Sequence, residues 1–163
     1  MKRKDLLGVL AEGDYAVFMD FLHSNAVCNV SDADLVEFYR RAPENWKQTL
    51  LNRQAPGVEA EKTIMAYASV DTVHLLRVLY GFYPQTVLWA FKEGDEQTAQ
   101  KVLSCLKDKP SSEVEVVMLK RGESELFKLW IKKFKALDEE AEKLINEDPR
   151  LWSLKNDYIE MSM

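Results

Sequence analysis

Two stretches with the same pattern decide the fold: LLGVLAEGDYAVFMDFLHSNA at residues 6–26 and TVLWAFKEGDEQTAQKVLSCL at residues 86–106. Each places Glu-Gly-Asp between two segments whose apolar residues recur every three to four positions. That period is typical of one buried face of an α-helix. Glycine at the turn supplies the positive φ that ends the first helix, and the aspartate after it caps the second. The pattern therefore predicts a helix, a tight turn and a second helix.

The same pattern repeats along the chain. Its turn positions, here called anchors, are Gly13, Ala42, Val70, Gly94, Gly122 and Asp148. The anchors lie about 24 to 29 residues apart, within the range of helical repeats. The residue three before each anchor is apolar or aromatic, and in the first five units the residues eight and nine after it are all apolar. The predicted hairpins span about residues 1–28, 31–55, 58–82, 84–109, 112–136 and 138–163.

Stacking of these hairpins predicts the fold class. One hairpin cannot bury both of its apolar faces, so each must pack against the next. No Ser/Gly-rich linker divides the chain. We therefore expect one all-α domain over residues 1–163, a right-handed α–α superhelix, or solenoid, of about six hairpins. The sixth unit departs from the frame, as terminal repeats do, and moving it back by one residue returns Leu151, Leu154 and Tyr158 to suitable positions.

Local signals mark the helix boundaries. Ser31 and Ser112 each begin a four-residue stretch of capping-box form before an apolar run. Three acids at 138–140 are expected in the first turn of a helix, where the helix dipole favours negative charge. Residues 114–119 are rich in β-branched side chains, which leaves a short strand as the alternative, but their match to the repeat favours a helix.

Composition narrows the class of protein. The 163 residues are 47% hydrophobic and 30% charged, with a net charge of -5. These values exclude a disordered chain, a collagen-like repeat and a disulfide-stapled miniprotein. They argue against a chain that coats nucleic acid, since that function needs a basic excess.

The basic N-terminal segment and the two cysteines bear on the location of the protein. The basic start MKRK precedes only about six apolar residues before Glu12, too few for the core of a secretory signal. No run approaches the length that spans a membrane. Cys28 and Cys105 are isolated in sequence, which suits buried thiols in a reducing compartment. We therefore expect a cytoplasmic protein that does not bind a membrane.

The residues that could carry catalysis do not form a recognisable set. His74 occupies a repeat position that is apolar in most units, which predicts a histidine at the edge of the core, and His23 is expected on the surface at a helix end. Cys28 and His23 are the only near pair of zinc-ligand types, and a site needs more ligands. Neither glycine-rich phosphate motif occurs. We expect no enzyme activity, no cofactor and no metal.

Two groups of residues are candidates for partner binding. Residues 101–135 carry a net charge of about +4, and within them Lys128, Lys132 and Lys133 surround the aromatic residues of KLWIKKFK. A solvated helix face explains these lysines, while a nucleic-acid strand or an acidic protein would also suit them.

The second group is aromatic. Tyr80, Tyr83 and Trp89 lie near the shortest repeat, where a compressed unit would expose them as anchors for a partner. A small-molecule pocket between hairpins around Trp89 and His74, in a sensor or an enzyme, is an alternative use of the same region.

The stretches 6–26 and 86–106 resemble ankyrin helix pairs, with a short glycine-containing turn and two aliphatic residues near the end of the second helix, although the Thr-Pro-Leu-His motif is missing. Residues 113–137 and 139–152 resemble short helical-hairpin repeats of uncharacterised bacterial proteins. The resemblance implies an α-solenoid that binds other proteins, and it carries over no catalytic residue. We therefore predict a monomeric or weakly dimeric scaffold for a protein or peptide partner. The alternative is a nucleic-acid-binding repeat protein that uses residues 101–135.

Overall fold

The computed structural model describes residues 5–24 and 30–163. This part of the chain is all-α, with twelve helices, one short 3-10 turn at Pro149–Leu151 and no strand. None of these helices is long and apolar enough to cross a lipid bilayer. The helices are α1 (Leu6–Glu12), α2 (Tyr15–Ser24), α3 (Asp32–Arg41), α4 (Glu44–Leu51), α5 (Val58–Tyr67), α6 (Val70–Tyr80), α7 (Pro84–Lys92), α8 (Glu96–Cys105), α9 (Ser112–Arg121), α10 (Ser124–Phe134), α11 (Glu139–Glu147) and α12 (Trp152–Ser162).

The chain forms two compact units, Met1–Phe82 and Tyr83–Met163, here called unit 1 and unit 2. Inside unit 1, α1 packs on α3, α3 on α5, and α4 on α6. Inside unit 2, α7 packs on α9 and α9 on α11, while α8 packs on α10 and α10 on α12. In each unit, odd-numbered helices therefore lie beside odd-numbered helices, and even-numbered helices beside even-numbered ones. The expectation of a single domain over residues 1–163 stays a prediction.

Most of the predicted helix ends are confirmed. Gly13 and Gly122 both have a φ of 70° and end α1 and α9 in the left-handed conformation. The side chains of Ser31 and Asp95 accept hydrogen bonds from first-turn amides of α3 and α8, at 3.3 and 2.7 Å. The acids at 138–140 begin α11, and the β-branched stretch within α9 is helical. Local sequence signals therefore set these boundaries.

Gly94 is a glycine for a different reason from the one the sequence suggested. Its φ is not positive, so that expectation is wrong at this anchor. A Cβ on Gly94 would lie only 2.6 Å from the carbonyl oxygen of Ala90. The turn packs so closely on the end of α7 that no side chain fits.

The third anchor, Val70, is wrong by two residues. α5 ends on Ala68, which has the same extended conformation as Ala42 after α3. Three residues before Ala68 lies the buried Met65, whereas Tyr67, the residue expected in the core, is 56% exposed. The corrected anchor is Ala68, which lies about 26 residues from each neighbouring anchor.

The corrected frame changes three predictions. Leu76 takes the core position eight residues after the anchor, and Val78 and Leu79, which were expected in the core, are exposed. His74 moves from the fourth to the sixth position after the anchor and is exposed, so its placement at the core edge is wrong. Because the spacing to the next anchor is no longer short, the compressed repeat expected to expose Trp89 does not occur.

In the last hairpin only the second helix follows the frame shifted by one residue, because Asp148 ends α11 and Ile145, three residues before it, is buried. The 3-10 turn Pro149–Leu151 separates α11 from α12, and Leu151 and Leu154 are buried, as predicted. Trp46 and Trp152 both lie four residues after their anchors, so the sequence repeat predicts that both are buried; Trp46 is buried, but Trp152 is 68% exposed. The same shift explains this difference, because Leu151 takes the place in the core that Trp46 has in α4.

Hydrogen bonds join the last turns of neighbouring even-numbered helices. In each case a side chain at the end of one helix donates to a carbonyl at the end of the preceding even-numbered helix, 29 or 31 residues earlier. These bonds satisfy carbonyls that a helix leaves unpaired at its C-terminus. They run from Arg53 to Leu22 O (3.0 Å), from Tyr80 to Leu51 O (2.6 Å) and from Lys133 to Ser104 O (3.2 Å).

The helix starts are joined in a comparable way. In three cases the first residue of a helix forms hydrogen bonds with the start of the second helix after it, for example α3 with α5. The bonded residues are 25 to 28 positions apart. Ser112, expected to cap its own helix, makes such a bond instead, because Ser111 is the residue that precedes α9. The pairs are Asp32 with the Gly57 and Ala60 amides (2.8 and 3.2 Å), Glu44 with the Ser69 amide and the Thr72 hydroxyl (3.2 and 2.7 Å), and Ser112 with the Asp138 carboxylate (2.9 Å).

The contact made by Glu44 predicts a pH-dependent part of the stability. Burial alone would raise the pKa of Glu44, but hydrogen bonds from Thr72, Ser69 and Lys47 outweigh it and hold the pKa below its ordinary value. A lowered carboxyl pKa stabilises the fold above the unfolded-state pKa of about 4.3, and that stability is lost as acid protonates the folded state. We expect Glu44→Gln to destabilise by roughly 1 kcal/mol or less at neutral pH, and by less still near pH 3.

Melting temperatures from circular dichroism, measured across that pH range, test this expectation. Thr72→Val removes the shortest of the bonds to Glu44 and should weaken the same pH dependence. A difference between wild type and Glu44→Gln that is constant with pH would contradict the assigned role of the carboxylate.

Candidate functional site

The three aromatic residues predicted to bind a partner are divided between the units. Tyr80 ends α6 in unit 1 and is 44% exposed. Its hydroxyl already donates to the carbonyl of Leu51, and burial raises its pKa. In unit 2, Tyr83 precedes α7 and is exposed, while Trp89 lies half-buried within α7. Their role in partner binding stays a prediction.

The predicted basic stripe is only partly accessible. Lys128 and Lys132 are exposed and lie one turn apart on α10, with the exposed Leu129 beside them. Lys133 is half-buried, and its ammonium group donates to the Ser104 carbonyl. Lys133 therefore takes part in helix packing, whereas Lys128 and Lys132 are open to a partner.

The neighbouring helix carries a second exposed group. α12 packs on α10, and its residues Trp152 and Ile159 are exposed. They are seven residues apart and so lie on the same side of the helix. Sequence reasoning missed this surface because it assigned Trp152 to the core. The basic and large apolar residues Lys128, Leu129, Lys132, Trp152 and Ile159 are here called the α10–α12 surface, and the acids Glu125 and Glu160 are exposed on the same two helices.

A cleft of about 490 Å³ opens in unit 1 beside two successive hairpin turns. Its volume is in the range of pockets that hold small ligands or side chains of a partner. One wall comes from the end of α1 and the turn after it, and the other from the end of α3 and the start of α4. The lining residues are Leu10, Ala11, Gly13, Arg41, Pro43 and Trp46.

The cleft combines a closely packed aromatic floor with one positive charge. Trp46 is only 4% exposed and stacks on Phe18, with ring centroids 4.6 Å apart and planes 3° apart. Tyr15 packs against the other rings, 6.1 Å from Trp46. Arg41 is exposed at the end of α3, and among the described residues it has no hydrogen-bond or ion-pair partner. A ligand with an apolar part and an anionic group would match these features.

Unit 2 contains a buried carboxylate that the sequence analysis did not identify. Glu115 of α9 is fully buried. One of its oxygens accepts from Trp130 Nε1 at 2.7 Å and from Lys109 Nζ at 2.8 Å, and the other accepts from the Asp138 amide at 2.6 Å. Lys109 also donates to the Asp138 carboxylate at 2.9 Å and to the Ala136 carbonyl at 2.8 Å.

The charges of this network stabilise one another. Burial alone would lower the pKa of Lys109, but its bonds to Glu115 and Asp138 outweigh burial and raise the pKa. The hydrogen bond from Lys109 lowers the pKa of Asp138. Both oxygens of Glu115 are occupied by donors from within the protein. A catalytic acid or base must be able to reach a substrate, and Glu115 is bonded only within the protein. The arrangement therefore suits a structural role, in which Glu115 joins α9, α10 and α11.

The remaining candidates from the sequence lie apart from these sites. His23 is exposed in the last turn of α2 and Cys105 is buried at the end of α8, as predicted. Cys28 lies outside the described residues. In residues 5–24 and 30–163, no three His, Cys, Asp or Glu side chains are grouped so that they could hold a metal ion.

Comparison with protein-family models, with curated proteins and with solved structures gave no match to this chain.

Proposed function

We propose that the chain is a non-catalytic helical-repeat scaffold that binds a protein or peptide partner, and that each unit is a short right-handed stack of helical hairpins. The observation that supports this proposal is the set of hydrogen bonds between equivalent helix ends, 25 to 31 residues apart, which occur in both units. In repeat proteins each hairpin contacts its neighbours and leaves an outer face for binding.

The α10–α12 surface is the part of unit 2 best suited to a partner. Trp152 and Ile159 offer exposed apolar area, and Lys128 and Lys132 add positive charge. Aromatic side chains are frequent anchors of protein interfaces, and charged residues nearby steer a partner of opposite sign. We therefore propose an acidic partner with an apolar contact residue for this surface.

A pair of matched double variants tests the proposal. The full chain is used to capture partners from a lysate, and the affinity of a stoichiometric protein partner is then measured by calorimetry. Replacing Lys128 and Lys132 by alanine should weaken that affinity at least tenfold. The same change at Lys120 and Lys143, which are exposed on the odd-numbered helices α9 and α11, should leave it within about twofold. Equal losses in both variants, or recovery of only a metabolite that saturates, would contradict the proposal.

Nucleic-acid binding is the second candidate, and it is supported by the exposed Lys128 and Lys132 with the exposed Leu129 beside them. Binding of a single-stranded oligonucleotide that weakens steeply with salt would favour it. A flat titration at low salt would exclude it and leave the protein-binding scaffold.

A further inference from the structure

One position of the repeat holds an arginine in both units, and this arginine has hydrogen-bond partners in unit 2 but none among the described residues in unit 1. Arg121 is the last residue of α9 and lies one residue before the anchor Gly122. Arg41 is the last residue of α3 and lies one residue before the anchor Ala42. α9 packs on α7 as α3 packs on α1. The two arginines therefore stand at equivalent positions beside the end of the preceding odd-numbered helix.

In unit 2, Arg121 fills this position. Its guanidinium group donates to the carbonyl oxygens of Phe91, in the last turn of α7, and of Gly94, in the turn that follows, at 3.0 and 2.5 Å. It also makes two hydrogen bonds, of 2.7 and 3.0 Å, to one oxygen of Glu123. The carboxylate of Glu123, one residue after the anchor, thus holds the guanidinium against the turn.

In unit 1 the corresponding carboxylate is missing. The residue one after the anchor is Pro43, and Arg41 is exposed without a partner among the described residues. The space beside Arg41 is the cleft of about 490 Å³. Its lining includes Leu10 and Gly13, the residues that correspond to the two carbonyl acceptors of Arg121.

We propose that this cleft binds an acidic side chain of a partner polypeptide, whose carboxylate takes the place that Glu123 occupies in unit 2. Arg41 then bridges that carboxylate and the turn after α1, since guanidinium and carboxylate form strong charge-assisted hydrogen bonds. The floor of Trp46 suits an apolar or aromatic residue next to the acid. This inference rests on the proposed function and names the kind of segment that a partner presents.

The apolar floor is needed for selectivity. An exposed arginine–carboxylate pair alone contributes little to binding. A carboxylate that is partly removed from water beside Trp46 gains more from the guanidinium, because charged hydrogen bonds strengthen where the dielectric is low. We therefore expect weak but selective binding of a short peptide that carries both groups.

The first test titrates the isotope-labelled full chain with N-acetyl-Phe-Glu-amide and, separately, with N-acetyl-Phe-Gln-amide. Magnetic resonance signals of the Trp46 indole N–H and the Arg41 guanidinium report on the cleft. The glutamate peptide should shift both signals to saturation and bind at least fivefold more tightly than the glutamine peptide. Inorganic phosphate, which has charge but no apolar group, should not move the Trp46 signal. Equal binding of the two peptides would overturn the proposal.

The second test supplies the missing carboxylate within the chain. Pro43→Glu places an acid where unit 2 has Glu123, and it should weaken binding of the glutamate peptide at least tenfold. Val70→Glu adds the same charge at an exposed position of unit 1 and should bind as wild type does. If Pro43→Glu alters the circular dichroism spectrum, Arg41→Gln, on an exposed side chain, gives the same test. Wild-type affinity in Arg41→Gln would overturn the proposal.

Partner capture separates this inference from the proposed function. If neither signal responds to the peptides while a protein partner is still captured equally by wild type and Pro43→Glu, the site is wrong and the scaffold stands. If the glutamate peptide binds as expected but no protein partner is recovered, the carboxylate site stands and the scaffold is wrong.

Discussion

Glu115→Ala is expected to destabilise the fold by about 3–5 kcal/mol. The substitution removes the acceptor for three donors: the Trp130 indole, the Lys109 ammonium and the Asp138 amide. The indole is fully buried, so water cannot easily replace the lost acceptor. Lys109 would also keep a partly buried positive charge with one carboxylate partner fewer. A buried donor or charge that loses its partner costs more than the original bond contributed.

Chemical denaturation followed by circular dichroism measures this effect as a shift in midpoint at an unchanged m-value. Glu113→Ala is the matched control, because Glu113 lies in the first turn of the same helix and is exposed. It should change the stability by no more than about 1 kcal/mol. Trp130→Phe removes the N–H donor together with the five-membered ring of the indole, so a loss is expected from both the missing hydrogen bond and the smaller buried side chain.

If Glu115→Ala does not fold, Glu115→Gln retains the side-chain shape and one acceptor oxygen. The new NH2 group is a hydrogen-bond donor, and it would face another donor, either the Asp138 N–H or the Lys109 ammonium. Two donors cannot bond to each other, so this variant should also be less stable than wild type. A loss below about 1 kcal/mol in either variant would show that the network does not hold α9, α10 and α11 together.

The helices could be predicted from the sequence because their signals are local. Apolar residues at helical spacing, the left-handed turns at Gly13 and Gly122, and the caps at Ser31 and Asp95 all act within a few residues. The frame failed at the third anchor, where the register on Val70 places apolar residues at all three core positions, whereas the correct register on Ala68 places Arg77 nine residues after the anchor. There the buried Met65 distinguishes the registers, and burial depends on packing against neighbouring helices.

The contacts between helices could not be predicted in the same way. Glu115 was interpreted as part of a capping box, although it shares one side of α9 with the buried Met118 and Leu119. An acid on the apolar side of a helix signals a buried partner, but the sequence does not say that the partners are Lys109, Trp130 and the Asp138 amide. Those groups meet only when three helices pack.

The cleft in unit 1 could not be predicted from the sequence for a related reason. Its chemistry depends on the difference between Arg41 with Pro43 and Arg121 with Glu123. Both pairs are visible in the sequence once the anchors are known. Their meaning becomes clear only when the structure shows Arg121 on the carbonyls of the preceding turn.

Trp46→Ala is expected to destabilise the fold strongly and Trp152→Ala hardly at all, although the two residues share one position in the sequence repeat. Trp46→Ala should cost about 3–5 kcal/mol, because the nearly buried indole stacks on Phe18 and its removal leaves a cavity. Trp152→Ala should stay within about 0.5 kcal/mol, because the side chain is exposed on α12.

Denaturation midpoints of the two variants, compared under one set of conditions, test this difference. Trp46→Phe keeps an aromatic ring for Phe18 and should lose clearly less than the alanine variant. If both alanine variants lost the same stability, the 3-10 turn Pro149–Leu151 would not have shifted α12 by one residue, and Trp152 would lie in the core as the simple repeat requires. If only Trp46→Ala lowers the stability, the short turn before α12 has moved Trp152 from a core position of the repeat to an exposed position on the α10–α12 surface. That outcome would make Trp152 available as a binding anchor without cost to the fold.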